Sequence, residues 1–302
     1  MKSKNSYLPK NLTLTDYNTR KSIPLKEFLR HINLNQEKLK KINGLLHGNF
    51  QSTQYGSGYD FNEIREYKIG DDLRHISWSA TAKTNTLQTK EYFCEKELSS
   101  FFLIDISNSM FCGNKIESFI QLSAFLLDLS CRFSEKLGGV FFSDDIKYYF
   151  PLRASLPSAN IMFQSFFNYY NNLNNESFSK PTVTNFSKAL ELANQSFSKK
   201  GLIFIISDFL NLSHWEKIFF ETAQKQNIYS FQIYDSLDYE LPESGYISLF
   251  DPETQRYTLV NTDSKIIREK YKVLMNNKQD NLKAFLKKSG INHLLIDKRD
   301  FI

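Results

Sequence analysis

The sequence is poor in the residues that carry the commonest metal and nucleophile chemistries. Three cysteines, Cys94, Cys112 and Cys131, stand among 302 residues. Their number is odd, their spacing matches no zinc pattern and no C-x-x-C pair occurs, so free thiols in a reducing compartment fit best. The five histidines, His31, His47, His75, His214 and His293, are scattered, and none stands at metal-ligand spacing. No Walker-A sequence is present, so ATP hydrolysis by this chain is not expected, and no G-x-S-x-G elbow marks a serine hydrolase. No apolar run matches a signal peptide or a membrane span, so the chain reads as cytoplasmic with no transmembrane segment.

What is abundant is aromatic and aliphatic. With 27 Phe, 16 Tyr and 41% hydrophobic residues, the chain has ample material for a core, which excludes disorder as the dominant state. A net charge of +5 is too mild to argue for nucleic acid. The charge is uneven, however: residues 1–41 hold ten Lys or Arg against three Asp or Glu. Residues 1–24, with Pro9 and Pro24, read as a basic arm. It is either a solvated terminus or a contact for RNA, anionic lipid or an acidic partner. No RNP-type motif supports RNA, and no nucleic-acid partner is expected.

Three stretches follow. Residues 25–47 place Leu25, Phe28, Leu29, Ile32, Leu39, Ile42 and Leu46 near a helical repeat, with Gly48 as a stop. Residues 50–97 are dense in Gly, Asp, Arg and aromatics; they predict loops and short strands, with a hairpin turn at Thr84-Asn85. Together, 25–97 form an N-terminal extension expected to pack on the main domain. From residue 98 to 302, apolar strands alternate with amphipathic helices. Strands are expected at 99–106, 139–143, 146–150, 202–207, 228–234 and 293–296. Helices are expected at 115–137, 158–170, 185–198, 214–226 and 264–289, and an Asn-rich loop at 171–176. A separate hairpin pairs 246–249 with 257–260. This alternation predicts an α/β fold, a doubly wound and mostly parallel sheet with helices on both faces.

Two constellations can carry chemistry. The first is Asp105-Ile-Ser107-Asn-Ser109, directly after the apolar strand FFLI and before a helix. A D-x-S-x-S segment there sets one carboxylate and two hydroxyls at the carboxyl end of a strand, the edge where open α/β sheets bind ligands. Hard oxygen donors suit Mg²⁺ or Mn²⁺, and three short side chains need help from other loops. Thr184 and Asp208 are the candidates. Thr184 also reads as a plain helix N-cap, and Asp208 as an N-cap or loop acid. The second constellation runs Arg65-Glu66-Tyr67-Lys-Ile-Gly70-Asp71-Asp72-Leu-Arg74-His-Ile-Ser-Trp78. Alternating acids and arginines around one glycine predict a loop folded by charge-assisted hydrogen bonds. Gly70 supplies a positive φ or a close backbone approach, and Tyr67 and Trp78 anchor the loop to a core. It is either a structural ion-pair network or a partner-binding surface.

The run GSGYDFNEIREYKIGDDLRHISWSATAK at 56–83, followed by LIDISNSM at 103–110, resembles the bacterial family called domain of unknown function 58. Ser207-Asp208-Phe209, Leu241-Pro242, Gly245 and Asp251-x-Glu253-Thr254 resemble its C-terminal half, so the likeness covers about residue 40 to the end. Departures are Asp60 for a usual Glu, Lys83 for Arg, Ser77 for the Asp before Trp78, and Asn185 for the Asp that often follows the Thr. The resemblance implies a von Willebrand factor A-like, Rossmann-type domain with a metal-ion-dependent adhesion site. Asp105, Ser107 and Ser109 would form its first motif, Thr184 its second and Asp208 its third. It further implies a non-enzymatic module in which Mg²⁺ or Mn²⁺, weakly bound alone, captures a carboxylate of an acidic client. A MoxR-type AAA+ ATPase is the implied partner, with the chain as adaptor or co-chaperone. A metal-dependent phosphoester hydrolase and a metal-free interaction domain are the alternatives.

Overall fold

The computed structural model describes residues 24–30, 35–51, 55–56, 60–93, 98–111, 115–173, 184–210, 215–251, 256–297 and 300. The basic arm up to residue 23, His214 and residues 174–176 of the expected Asn-rich loop fall outside them, whereas residues 171–173 of that loop end a helix instead. The chain divides into two units: residues 36–97 form one, and residues 1–35 with 98–302 form the other.

The first short helix, α1 (Leu25–Leu29), belongs to the larger unit. Its Leu25 and Phe28 are buried; the Phe28 ring lies 4.9 Å from that of Phe163, and the Leu25 N–H donates to Asn160 Oδ1 at 3.2 Å. The single helix expected over 25–47 is therefore two, because the second, α2 (Gln36–Gln51), belongs to the smaller unit and runs past Gly48.

The smaller unit continues with β1 (Tyr55–Gly56), β2 (Asp60–Glu66), α3 (Trp78–Thr84) and β3 (Gln88–Phe93). Its strands form an antiparallel sheet in the order β1-β3-β2. Thr84-Asn85 is not the hairpin turn. Thr84 ends α3, and Asn85, at φ 58°, caps it with its N–H on the Thr81 carbonyl. An asparagine in the left-handed region serves either purpose, and here it closes a helix.

The larger unit is built on β4 (Ser99–Asp105), α4 (Lys115–Phe133), β5 (Lys136–Phe142), β6 (Ile146–Ala154), α5 (Ser155–Leu173), α6 (Phe186–Ser196), β7 (Leu202–Ser207), α7 (Glu216–Lys225) and β8 (Asn227–Tyr234). The hairpin β9 (Tyr246–Asp251) and β10 (Arg256–Asn261), the long helix α8 (Lys265–Lys288) and β11 (Asn292–Asp297) complete it. Its sheet has the order β11-β8-β7-β4-β5-β6, parallel throughout except for the antiparallel edge strand β6. This is the doubly wound, mostly parallel α/β sheet that the alternation predicts.

Several boundaries differ from the expectation: β6 runs to Ala154 rather than 150, α5 spans Ser155–Leu173 rather than 158–170, and α6 ends at Ser196 rather than 198. The helix α4 stops at Phe133 rather than 137, and β5 begins at Lys136. Leu137 points into the core as a strand residue, and Gly138 and Gly139 lie within the strand. A Cβ on Gly139 would meet the Phe102 carbonyl oxygen at 2.5 Å and Met162 at 2.6 Å, so glycine is what lets β5 lie against β4 and α5.

The central strand β4 is buried on both faces, as a parallel-sheet strand must be. Phe101 and Leu103 face a core shared with Phe186 and Ala189 of α6, Phe219 of α7 and Leu282 of α8. On the other side Phe119 of α4, Phe141 of β5 and Phe166 of α5 meet edge to face, at centroid distances of 4.8 and 6.0 Å.

Candidate functional site

The carboxyl ends of β4 and β7 lie side by side, since Ile104 pairs with Ile206. Asp105 and Asp208, more than a hundred positions apart in sequence, are thereby brought to one sheet edge. Asp105, Ser107, Ser109, Thr184 and Asp208 are all buried.

The loop after β4 folds on Asp105. Its Oδ1 accepts the Ser107 N–H at 2.8 Å, and its Oδ2 accepts the Ser207 hydroxyl at 2.6 Å. Ser109 sits in a 3-10 turn (Asn108–Phe111), whose entry is fixed by the Met110 N–H on the Ser107 carbonyl. That turn sets the Ser107 and Ser109 hydroxyl oxygens 3.1 Å apart. Burial first, and the charge of Asp208 second, push the Asp105 carboxyl up to about 7 against the hydrogen bonds from Ser207 and Ser107.

Thr184 is not the cap of α6. Asn185 is, its side chain accepting the Lys188 N–H, so the Thr184 hydroxyl is not spent on the helix end. The Asn185 N–H donates to the Ser143 carbonyl at 2.7 Å, which ties this loop to the end of β5. The next residue, Phe186, stacks on Phe209 at 5.5 Å and 13°. Phe209 directly follows Asp208 and adopts φ 55°, a left-handed conformation unusual for a bulky residue. The stack and the Ser207 Oγ, which accepts the Phe209 N–H at 3.0 Å, hold that turn. Asp208 is no helix cap either: its Oδ1 accepts the Leu210 N–H at 3.2 Å within its own loop.

Sequence reasoning missed Lys115. This first residue of α4 is buried, and its Nζ donates to Asp208 Oδ2 at 2.8 Å and to Asp238 Oδ2 at 3.0 Å. Burial works against the ammonium, but the two carboxylates outweigh it and hold its pKa above the ordinary value. Asp238 lies in a 3-10 turn (Ser236–Asp238) after β8. A signal existed: a lysine opening a helix sits at the wrong end of the helix dipole, which calls for a local anion. Gln232 of β8 was also missed. Its amide donates to the Asp208 carbonyl, to Tyr239 Oη and to Gln279 Oε1 of α8, within 2.9 to 3.0 Å.

The donor set fits a small hard cation. Oxygen ligands at about 2.1 Å in an octahedron place neighbours about 3 Å apart, and the two serine hydroxyls meet that spacing. Two buried carboxylates, with the charge of Asp208 raising the Asp105 pKa, add the charge such an ion balances. Among the described residues no group of three or more His, Cys, Asp or Glu could hold a metal, so hydroxyl donors are indispensable to any ion here.

The charged segment lies in the smaller unit, apart from these donors in the division of the chain. Arg65 grips Asp71 bidentately at 2.8 and 3.0 Å, and the Lys68 N–H adds a third bond at 2.8 Å, holding the Asp71 carboxyl down at about 2. Arg74 closes on Asp72 in the same way, with its shortest bond at 2.6 Å. Gly70 turns the loop at φ 108°, as expected. The Arg65 guanidinium reaches the Glu66 carbonyl, and the Tyr67 N–H donates to the Leu87 carbonyl. Trp78 is no core anchor: it is 70% exposed, and Ile69 and Leu73 of the same segment are exposed too. Buried Ser77 takes the inward position instead, its N–H on the Gln88 carbonyl.

The sheet order and the helices between its strands define an α/β domain of the doubly wound class, with buried oxygen groups at the carboxyl edge of its central strands. The chain belongs to the family described as protein of unknown function DUF58, whose model matches residues 63–281. An uncharacterized protein of Mycobacterium tuberculosis, Rv1480, is 23% identical over 224 residues, which is 71% of this chain and 67% of the relative. Among solved structures, the conserved hypothetical protein BatB from Bacteroides thetaiotaomicron is similar at 16% identity and TM-score 0.39, over 66% of this chain and 90% of that one. A von Willebrand factor type A protein from Catenulispora acidiphila is similar at 11% identity and TM-score 0.32, over 48% and 35%. No helix among the described residues is long and apolar enough to cross a membrane.

Proposed function

We propose that this chain is a non-enzymatic protein-interaction module whose sheet-edge site takes Mg²⁺ or Mn²⁺ through Asp105, Ser107, Ser109, Thr184 and Asp208. The bound ion supplies an electrophilic position for a carboxylate of an acidic client. The chain's own side chains position the donors and exclude water around them. In this reading the module serves a MoxR-type AAA+ ATPase as adaptor or co-chaperone, and the ion is held weakly until the client's carboxylate joins it. The observation that carries the reading is the buried pair of serine hydroxyls 3.1 Å apart beside the Asp105 carboxylate.

One observation favours the metal-free alternative: Lys115 already places a cation on Asp208. No comparable observation favours a hydrolase. A cavity of about 230 Å³ is lined by Glu240, Leu241, Lys265, Arg268, Glu269 and Lys272, none of them among the five donors.

The test is affinity capture from the native cell extract with tagged wild type and Asp105→Ala, each in Mg²⁺ and in EDTA. An AAA+ ATPase retained only by wild type in Mg²⁺ supports the metal-bridged reading. Equal retention in all four arms removes the ion from the interaction and turns attention to the Arg65–Trp78 segment. Absence of any ATPase ends the adaptor reading.

A further inference from the structure

Lys115 has no place in a plain structural account of this fold. Its side chain is among the largest fully buried ones in the molecule, otherwise all aromatic. Burying an ammonium is strongly unfavourable unless it is paired, and apolar replacements for buried ion pairs are often as stable or more so. The first turn of α4 offers it no help, since unpaired N–H groups there already carry partial positive charge. What keeps it in place are two carboxylates from different elements, Asp208 after β7 and Asp238 after β8. One of these is a donor of the proposed cation site; the other is not.

Three carboxylates, Asp105, Asp208 and Asp238, stand against one ammonium, and buried Asp235 adds its charge beside Asp238. A divalent ion together with the ammonium offsets most of that negative charge. Without the lysine, the same loaded site would keep more net negative charge and would repel the carboxylate it is meant to capture. We propose that Lys115 is a tethered counter-ion of the sheet-edge site: it weakens divalent-cation binding by sharing Asp208, and in return leaves the loaded site neutral enough to accept an anionic partner group. This rests on the cation reading given above and adds its regulation.

The opposite signs of two substitutions test it. Lys115→Met removes the competing cation, and Mn²⁺, titrated by the loss of its free-ion paramagnetic resonance signal, is expected to bind at least about tenfold tighter. The thermal midpoint in EDTA is expected to fall, and added Mn²⁺ to raise it by more than in wild type. Acetate, as the probe for a partner carboxylate, is expected to perturb the bound Mn²⁺ signal less than in wild type. Asp238→Asn removes a carboxylate that is not a donor and leaves Lys115 wholly on Asp208, so Mn²⁺ is expected to bind more weakly than to wild type. Asp105→Ala serves as the control without the site.

If wild type binds Mn²⁺ and Lys115→Met binds it equally or more weakly, the counter-ion role is overturned while the cation reading stands. If neither binds, both fall together. Should only Lys115→Met bind, the lysine is itself the cation of the native site, and both the counter-ion role and the metal-dependent reading of the native chain fall. If Lys115→Met does not fold, Asp238→Asn decides alone, and binding as tight as wild type or tighter overturns the role.

Discussion

At the scale of the residue, Asp105 is the side chain on which fold and site make opposed demands. Its folded pKa near 7 lies well above the ordinary carboxylate value, so the fold favours the protonated form. That contribution is fully present below about pH 4 and is lost as pH rises through about 7. Asp105→Asn imitates the protonated form at every pH. In EDTA its thermal midpoint is expected to exceed that of wild type by roughly 5 °C at pH 8, with the gain shrinking towards zero near pH 4.5. A midpoint below wild type at pH 8 would show that the ionised carboxyl is stabilised rather than penalised. Asp105, Ser107 and Ser109 were legible in the sequence because a D-x-S-x-S segment after an apolar run is local. For Lys115 only the need for an anion was legible, from its place at a helix start; its partners Asp208 and Asp238 lie 93 and 123 positions away, and only the sheet order brings them to it.

Among elements, the parallel strands were the most legible part, since continuous apolar runs such as LIFII have no other stable use. Boundaries were less so: the continuous apolar pattern of residues 115–137 hides the switch from α4 to β5, which glycine-dependent packing against β4 decides. The polar part of the attachment of α8 to the sheet was invisible, unlike the apolar part made by Leu282 and Leu286. Gln279 and Gln232 exchange amide hydrogen bonds at 2.8 and 2.9 Å, and Tyr239 Oη donates to Gln279 Oε1 at 2.8 Å. Gln279→Leu strands both partners and is expected to cost about 1–3 kcal/mol, measured by urea unfolding. The double variant Gln232→Leu/Gln279→Leu is expected to recover part of that loss, since two apolar groups leave fewer unmet bonds. A double variant with the sum of the single losses would mean that the pair contributes separately rather than as a unit.

For the whole molecule, the division of the chain was not readable from composition. The smaller unit is inserted between α1 and β4, and α1 belongs with the residues that follow the insertion. A helical repeat running from 25 to 47 hides that break, since both pieces carry apolar residues at helical spacing. The consequence is measurable. Phe28→Ala is expected to destabilise the larger unit by about 3 kcal/mol, because the ring no longer packs on Phe163. The chain's two tryptophans make the readout specific: in a Trp78→Phe background the remaining Trp215, buried in the larger unit, reports its denaturant midpoint. An unchanged midpoint would mean that α1 is an ornament on a unit complete without it.

The strand order has one further effect, felt during synthesis. The middle strand of the large sheet, β4, is flanked by β5 on one side and β7 on the other. The ribosome delivers β5 soon after β4, but β7 only about a hundred residues later, on the order of ten seconds at typical elongation rates. Throughout that interval the nascent chain carries a wholly apolar strand, Phe101–Ile104, with one edge unpaired. The same order that assembles the site from distant residues therefore gives a growing chain a long exposure to mispairing, and a use for a holding chaperone before residue 207 emerges.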